Sequence, residues 1–254
     1  MPTIEVDHGK LYFALSGRGG QEILLVHGSG GDHTVWSYQV KGLREGFSVA
    51  ALDLNGHGRS TFREGDGLTT YTEDVLAVLE RLSPKALLVG HSLGGALALN
   101  VALRHPEMIG GISLVGTGAR LRVLPEILEL VEVEEDFDRV IELILEWAFS
   151  DTSQPELVTK AREQMRANGQ RALRRDLLTC DGFDVMGKLN QIEVPALIIC
   201  GREDRLTPVK YAEYLRDRIP NATLKVIEGA GHMVMLERPA ELNRAIEDFL
   251  RTLG

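Results

Sequence analysis

Positive charge is in short supply in this chain. The 254 residues hold 28 Lys and Arg against 37 Asp and Glu, a formal net charge of −9. That balance argues against nucleic acid and against anionic membrane surfaces as partners. Cysteine is scarcer still: Cys180 and Cys200 are the only two, too few for a disulfide framework. Cys200 closes the apolar run Ala196-Leu197-Ile198-Ile199-Cys200 and reads as a small core residue. No apolar run has the length of a membrane span. The opening Met1-Pro2-Thr3-Ile4-Glu5 lacks the basic and apolar regions of a secretory leader. Repeats and low-complexity tracts are missing too. These absences lead to the expectation of a cytoplasmic globular protein with no membrane span. Nothing in the sequence specifies an oligomeric state. What is present is apolar material: 44% hydrophobic residues can build one large α/β core with an insertion.

The chain is organised around Leu87-Leu88-Val89-Gly90-His91-Ser92-Leu93-Gly94-Gly95-Ala96-Leu97-Ala98. Its first half is the apolar run of a strand buried on both faces. Its second half, as far as about Arg104, reads as a buried helix. Between them, Gly90-x-Ser92-x-Gly94 must turn sharply, and flanking glycines let backbone approach that turn. A serine hydroxyl is thereby presented at a helix N-terminus, where free N–H groups favour developing negative charge. This is a nucleophile elbow.

Around it, strands are predicted at 3–6, 10–15, 22–27, 47–52, 111–115, 195–200 and 223–227. Helices are predicted at 36–43, 71–82, 211–218 and 240–250. The first two strands, joined by Asp7-His8-Gly9, form a hairpin at the sheet edge. Strands alternating with helices imply a mostly parallel sheet covered on both faces, with functional groups at the carboxyl ends of its strands. The segment 118–190 breaks this rhythm after the sixth strand. It carries four helical patterns, at 121–132, 136–149, 155–167 and 170–179, and no convincing strand. The division is therefore core 1–117 and 191–254, cap 118–190. The acidic group Glu132, Glu134, Glu135 and Asp136 reads as a solvated helix junction, not a metal site.

A serine hydroxyl is a poor nucleophile until a base takes its proton. Of seven histidines, His232 is the candidate, in the glycine-rich loop Glu228-Gly229-Ala230-Gly231-His232 after the last strand. His8 and His105 read as exposed. His91 alternates away from Ser92, and His57 lies in a Gly-x-Gly turn with a structural or rim role. The base needs a carboxylate to hold one tautomer; Glu203 and Asp204, after the seventh strand, compete for that place. An oxyanion needs two donors. The N–H of Leu93 is one, and that of Ser29 in His27-Gly28-Ser29-Gly30-Gly31 is the other, with Gly30 as second choice. Leu124, Leu128, Trp147, Phe149 and Met233 are the expected pocket lining, together with Leu121 as roof; the alternative is that the cap residues among them only join its helices. No strongly amphipathic lid is evident.

Taken together, His27-Gly28, Asp53-x-x-Gly56-x-Gly58-x-Ser60, Gly90-His91-Ser92-Leu93-Gly94-Gly95, Gly201-x-x-Asp204 with Pro208, and Gly231-His232 before Glu237-x-Pro239 span nearly all of the chain outside the insertion. The chain resembles the α/β-hydrolase fold family, in its capped carboxylesterase, lactonase and haloperoxidase-like branch. The resemblance implies an eight-stranded, mostly parallel sheet flanked by helices, with a helical cap between strands six and seven. It also selects Asp204 over Glu203, in the chain order Ser92, Asp204, His232. Relatives with an aspartate nucleophile are disfavoured by Ser92. The expected activity is hydrolysis of carboxylic esters of short to medium acyl chain through an acyl-enzyme, with a small-molecule ester and water as substrates and no cofactor or metal. A lactonase, thioesterase or carbon–carbon hydrolase, a perhydrolase or haloperoxidase, and a receptor-like binding protein are the alternatives.

Overall fold

The structure is a computed structural model that describes residues 3–7, 9–83 and 85–253. His8, and with it part of the expected first turn, lies outside the described residues. Eight strands form one sheet: β1 (Thr3–Val6), β2 (Gly9–Ser16), β3 (Gln21–Val26), β4 (Phe47–Leu52), β5 (Leu87–His91), β6 (Gly111–Val115), β7 (Ala196–Gly201) and β8 (Ala222–Ile227). Their order is β1-β2-β4-β3-β5-β6-β7-β8. The β1–β2 and β2–β4 pairings are antiparallel, and every pairing from β4 through β3 to β8 is parallel.

Alternation along the strands divides the core. Leu24 and Val26 of β3, with Ala50 and Leu52 of β4, face α2 (Gly67–Leu79), α3 (Leu93–Arg104) and α8 (Val209–Arg218). Ile23, Leu25, Val49 and Ala51 face the other side, against α1 (Ser37–Leu43), α9 (Val234–Glu237) and α10 (Pro239–Thr252). The strands β5, β6 and β7 are buried at every residue, as central parallel strands covered on both faces are. Strand β8 is an edge and exposes alternate residues.

Between β6 and β7 come α4 (Pro125–Leu130), α5 (Phe137–Ala148), α6 (Pro155–Asn168) and α7 (Gln170–Gly182). They enclose an apolar cluster of their own, including Val131, Ile141, Leu145, Phe149 and Leu173. Two boundaries differ from expectation for local reasons. Helix α4 starts at Pro125, not at residue 121, because proline holds Leu124 extended (ψ 133°); the stretch before it pairs instead with the chain after α7, Arg120 opposite Asp184. Helix α2 starts at Gly67, not residue 71, because Asp66 accepts the N–H of Thr69 at 2.9 Å and caps it. Helix α5 is strongly amphipathic, but its stripe of Val140, Ile141, Leu145 and Ala148 is buried in the cap's own core.

Candidate active site

Ser92 has φ 51° and ψ −113°, the one positive φ outside glycine among the described residues. Strain of this kind costs roughly 1–3 kcal/mol and persists only where the surroundings impose it. Here they do: Ser92 N–H donates to Val115 O at 2.9 Å, and Ser92 O accepts from Thr117 Oγ1 at 2.8 Å. Glycine is needed on either side because backbones touch. A Cβ on Gly90 would lie 2.0 Å from Gly94 O, and one on Gly94 would lie 2.4 Å from Val26 O.

His232 follows β8 and lines the same cavity as Ser92. Its Nδ1 donates to Asp204 Oδ2 at 2.9 Å. Asp204 is itself fixed on four sides. Oδ1 accepts from the N–H groups of Leu206 (2.9 Å) and Thr207 (2.8 Å), and Oδ2 accepts from Thr207 Oγ1 at 2.8 Å as well as from His232. Glu203, the competing carboxylate, makes no such contact among the described residues. The backbone of His232 is held by the cap: its N–H donates to Ala148 O, at the end of α5, at 2.8 Å.

Below it, His91 Nε2 donates to His232 O at 3.1 Å, with ring centroids 4.6 Å apart. His91 thus does not turn away from the site as alternation suggested. Burial, reinforced by the neighbouring His232, pushes its pKa well below the ordinary histidine value. It is a neutral support.

Ser29 and Leu93 carry backbone N–H groups that meet no protein acceptor among the described residues. Their neighbours are occupied. Gly30 N–H donates to Asp176 Oδ2 at 2.8 Å, so the second choice for the oxyanion donor is already engaged. Gly28 O accepts from His27 Nδ1 at 2.8 Å and from Gly31 N–H at 3.1 Å. His27 Nε2 in turn accepts the N–H of Leu54 at 3.1 Å. Burial first, then His57 beside it, pushes the His27 pKa down to about 4, as a neutral ring with one donor and one acceptor nitrogen requires.

The cavity above Ser92 holds about 370 Å³. Leu124, Trp147 and Met233 line it, with Leu121, Ile127 and Met165. Leu128 and Phe149 do not: Phe149 is buried in the apolar cluster of the cap and Leu128 packs against that cluster. Among the described residues, Asp32, His33 and Asp53 are the one trio whose potential ligand atoms lie within 4.8 Å of each other. Those atoms already serve the loops: Asp53 Oδ1 accepts from His33 Nδ1 at 2.7 Å, and Asp32 Oδ1 accepts from Thr34 and Gln164. No described helix is long and apolar enough to cross a membrane.

Two residues were not singled out from the sequence. Glu237 is buried and joins two loops: Oε2 accepts from Gly231 N–H and Oε1 from Ser150 N–H, both at 2.9 Å. Only its place in the family pattern marked it. Asp176 had no mark, because a lone aspartate within a polar helical stretch looks like surface.

The sheet, the strained serine turn and the paired His–Asp at the strand ends define a class, the hydrolase-type α/β proteins. Residues 23–245 match the alpha/beta hydrolase family, and the chain belongs to that family. A solved structure described as that of a thermophilic esterase superposes with a TM-score of 0.90 at 41% identity, covering 100% of this chain and 98% of its own. A pimeloyl-[acyl-carrier protein] methyl ester esterase of Sodalis glossinidius is 30% identical over 94% of this chain and 97% of its own length. A dihydrolipoyllysine-residue acetyltransferase component of an acetoin cleaving system, from Pseudomonas putida, is 35% identical over 94% of this chain. The chain spans 66% of that relative's length.

Proposed function

We propose that the protein hydrolyses carboxylic esters of short to medium acyl chain through an acyl-enzyme, with Ser92, His232 and Asp204 as the triad. The observation that carries this reading is the 2.9 Å His232–Asp204 pair in the cavity that also bears the strained Ser92. In the first half-reaction His232 Nε2 takes the Ser92 proton as Oγ bonds to the carbonyl carbon. The carbonyl electron pair moves to oxygen, facing the N–H groups of Ser29 and Leu93. Collapse of that intermediate breaks the bond to the alcohol, which leaves with the proton from His232. Water then repeats the sequence and frees Ser92. Asp204 keeps Nδ1 protonated, so Nε2 is the accepting nitrogen. No step calls for a cofactor. A net charge of −9 and two unpaired, buried thiols support a cytoplasmic setting without a nucleic-acid partner.

The cavity supports the chain-length range, because about 370 Å³ is a small ligand pocket. The test is kcat/KM across p-nitrophenyl esters, beside lactones, thioesters and a peroxide-dependent halogenation assay. Steady turnover is expected to peak between about two and eight acyl carbons. A fluorophosphonate should add once, at Ser92, and Ser92→Ala should be inactive. A peak at palmitate with activation at a lipid interface refutes the closed pocket. Preference for lactone or thioester moves the bond cleaved, and one burst without turnover makes the protein a binding protein.

A further inference from the structure

The loop that carries Ser29 is gripped by the cap. Asn168 Nδ2, at the end of α6, donates to Gly30 O and Gly31 O, both at 2.9 Å. Gln164 Nε2 donates to Asp32 Oδ1 at 2.5 Å and Thr34 Oγ1 at 2.8 Å. From α7, Asp176 Oδ2 accepts Gly30 N–H at 2.8 Å. Asp176 is fully buried, and its other partners belong to the core. Oδ2 also meets His57 Nε2 at 2.9 Å, and Oδ1 accepts from Tyr71 OH at 2.5 Å. Arg175 Nε, next along the helix, donates to the same Tyr71 oxygen at 2.9 Å.

The protonation of His57 is set by its neighbours. Nδ1 faces the carbonyl of Asn55 at 3.2 Å, and Nε2 faces the Asp176 carboxylate. Both partners only accept, so both ring nitrogens carry protons and the ring is an imidazolium. His57 and Asp176 are therefore a buried ion pair between core and cap. Pairs of this kind add little net stability over apolar packing; where they persist, orientation is the better-attested gain.

What this pair orients is specific. The peptide before Ser29 is pinned at its carbonyl, Gly28 O, by His27 and Gly31. The peptide after Ser29 is pinned at its N–H by Asp176. Between them, the Ser29 N–H is left without a protein acceptor among the described residues. We propose that Asp176 is a positioning residue: from the cap it fixes the Gly30 peptide so that Ser29 N–H, together with Leu93 N–H, forms the oxyanion hole. It touches neither substrate nor reacting atoms. The catalytic consequence rests on the ester-hydrolase reading; the clamp on the loop does not. The cap is then part of the catalytic apparatus and not a detachable lid.

The test compares Asp176→Asn with the full wild-type chain in two independent arms. In the first, an alkyl trifluoromethyl ketone adds to Ser92 and places an oxyanion in the hole, while the matching secondary alcohol occupies the pocket without one. We expect kcat and the ketone's affinity to fall together by roughly 10- to 100-fold, the scale of a displaced catalytic group. KM and the alcohol's affinity should stay within about three-fold, since ground-state contacts are kept. Equal loss of ketone and alcohol, or an unchanged ketone affinity, overturns the proposal. The second arm is hydrogen exchange of residues 28–34, which needs no turnover. Asp176→Asn should speed exchange there; unchanged exchange overturns the clamp. Should wild type cleave no ester while exchange accelerates, the ester reading fails and the clamp stands. Asn168→Ala, a less buried member of the same grip, provides the same readouts if Asp176→Asn does not fold, and must shift both in the same direction.

Discussion

Replacing Asp204 by asparagine exchanges one oxygen for an NH₂, and the donors around the carboxylate decide the effect. Asp204 Oδ1 accepts two backbone N–H groups, those of Leu206 and Thr207, whereas Oδ2 faces His232 Nδ1 and Thr207 Oγ1. An asparagine that keeps its oxygen on the two N–H groups must put its amide NH₂ where Oδ2 was. That NH₂ donates to His232 Nδ1, which must then be bare, and the proton moves to Nε2. The ring can no longer accept the Ser92 proton. The opposite flip restores the tautomer but points an NH₂ at two N–H groups, that of Leu206 part-buried and that of Thr207 buried. Each unsatisfied buried donor costs about 1–3 kcal/mol, so the productive arrangement lies about 2–6 kcal/mol higher. That is roughly a 30-fold to 10⁴-fold loss of kcat, whose upper end matches the ~10⁴ drop when a Ser-His-Asp triad is given the wrong tautomer. Turnover of p-nitrophenyl acetate, with nitrogen NMR of the His232 ring, tests both halves of the argument. Glu203→Gln should stay within about two-fold, as for an ordinary surface change. An Asp204→Asn enzyme within ten-fold of wild type, or a Glu203→Gln enzyme that loses more, refutes it.

Packing and charge lead to two further expected outcomes. Burial opposes the His57 imidazolium, but Asp176 outweighs it and the pKa stands above the ordinary histidine value. Burial likewise opposes the Asp176 carboxylate, and His57, Tyr71 and Gly30 outweigh it, leaving its pKa below the ordinary value. Stability from the pair is thus complete between the ordinary carboxylate and histidine ranges. It is lost as pH rises through the raised His57 value or falls through the lowered Asp176 value. The His33–Asp53 pair, shifted in the same senses, adds to both limbs. Thermal unfolding against pH should show this plateau, and His57→Gln should lose part of the alkaline limb; an identical pH profile in the variant would contradict the assignment. In the pocket, Leu124 and Trp147 are 47% and 39% exposed and line the cavity, whereas Phe149 is 4% exposed and does not. Trp147→Ala should flatten the acyl-length profile, since contacts of this size discriminate by about 1–3 kcal/mol per methylene. Phe149→Ala should instead cost about 3–5 kcal/mol of stability, read by chemical denaturation, with the profile kept.

The parts of the molecule that were legible in the sequence are those governed by short-range rules. Apolar runs marked β5 and β7, and Gly90-x-Ser92-x-Gly94 marked the elbow, because backbone contact excludes any Cβ at Gly90 or Gly94. Strand ends were found within a residue or two; helix starts were missed where a cap or a proline decided them, at Asp66 and Pro125. The pocket was read only in part. Apolar composition marks Leu124, Leu128, Trp147 and Phe149 alike, and which of them faces a cavity depends on how α4 and α5 pack. Asp176 was illegible for a stronger reason. Its partners stand 146, 119 and 105 positions away, at Gly30, His57 and Tyr71, and no local pattern records such pairings.

Those long-range contacts give the insertion between β6 and β7 a second duty besides roofing the cavity. Its α5 ends on Ala148, whose carbonyl takes the N–H groups of both His232 and Met233. Ser150, just beyond, shares Glu237 with Gly231. Its α6 and α7 hold Gly30, Gly31 and Asp32 through Asn168, Asp176 and Gln164. One side of the cap therefore steadies the loop of His232, the proposed base, and the other steadies the loop of Ser29, the proposed oxyanion donor. Ser92, the proposed nucleophile, needs neither, because its backbone is strained into place by Val115 and Thr117 of the core. On the proposed mechanism, a cap tied to both loops is expected not to swing open as a rigid lid, since that would loosen groups that must be preorganised when charge develops. Substrate entry is then expected beside Leu124 and Trp147, which line the cavity and are also half-exposed to solvent.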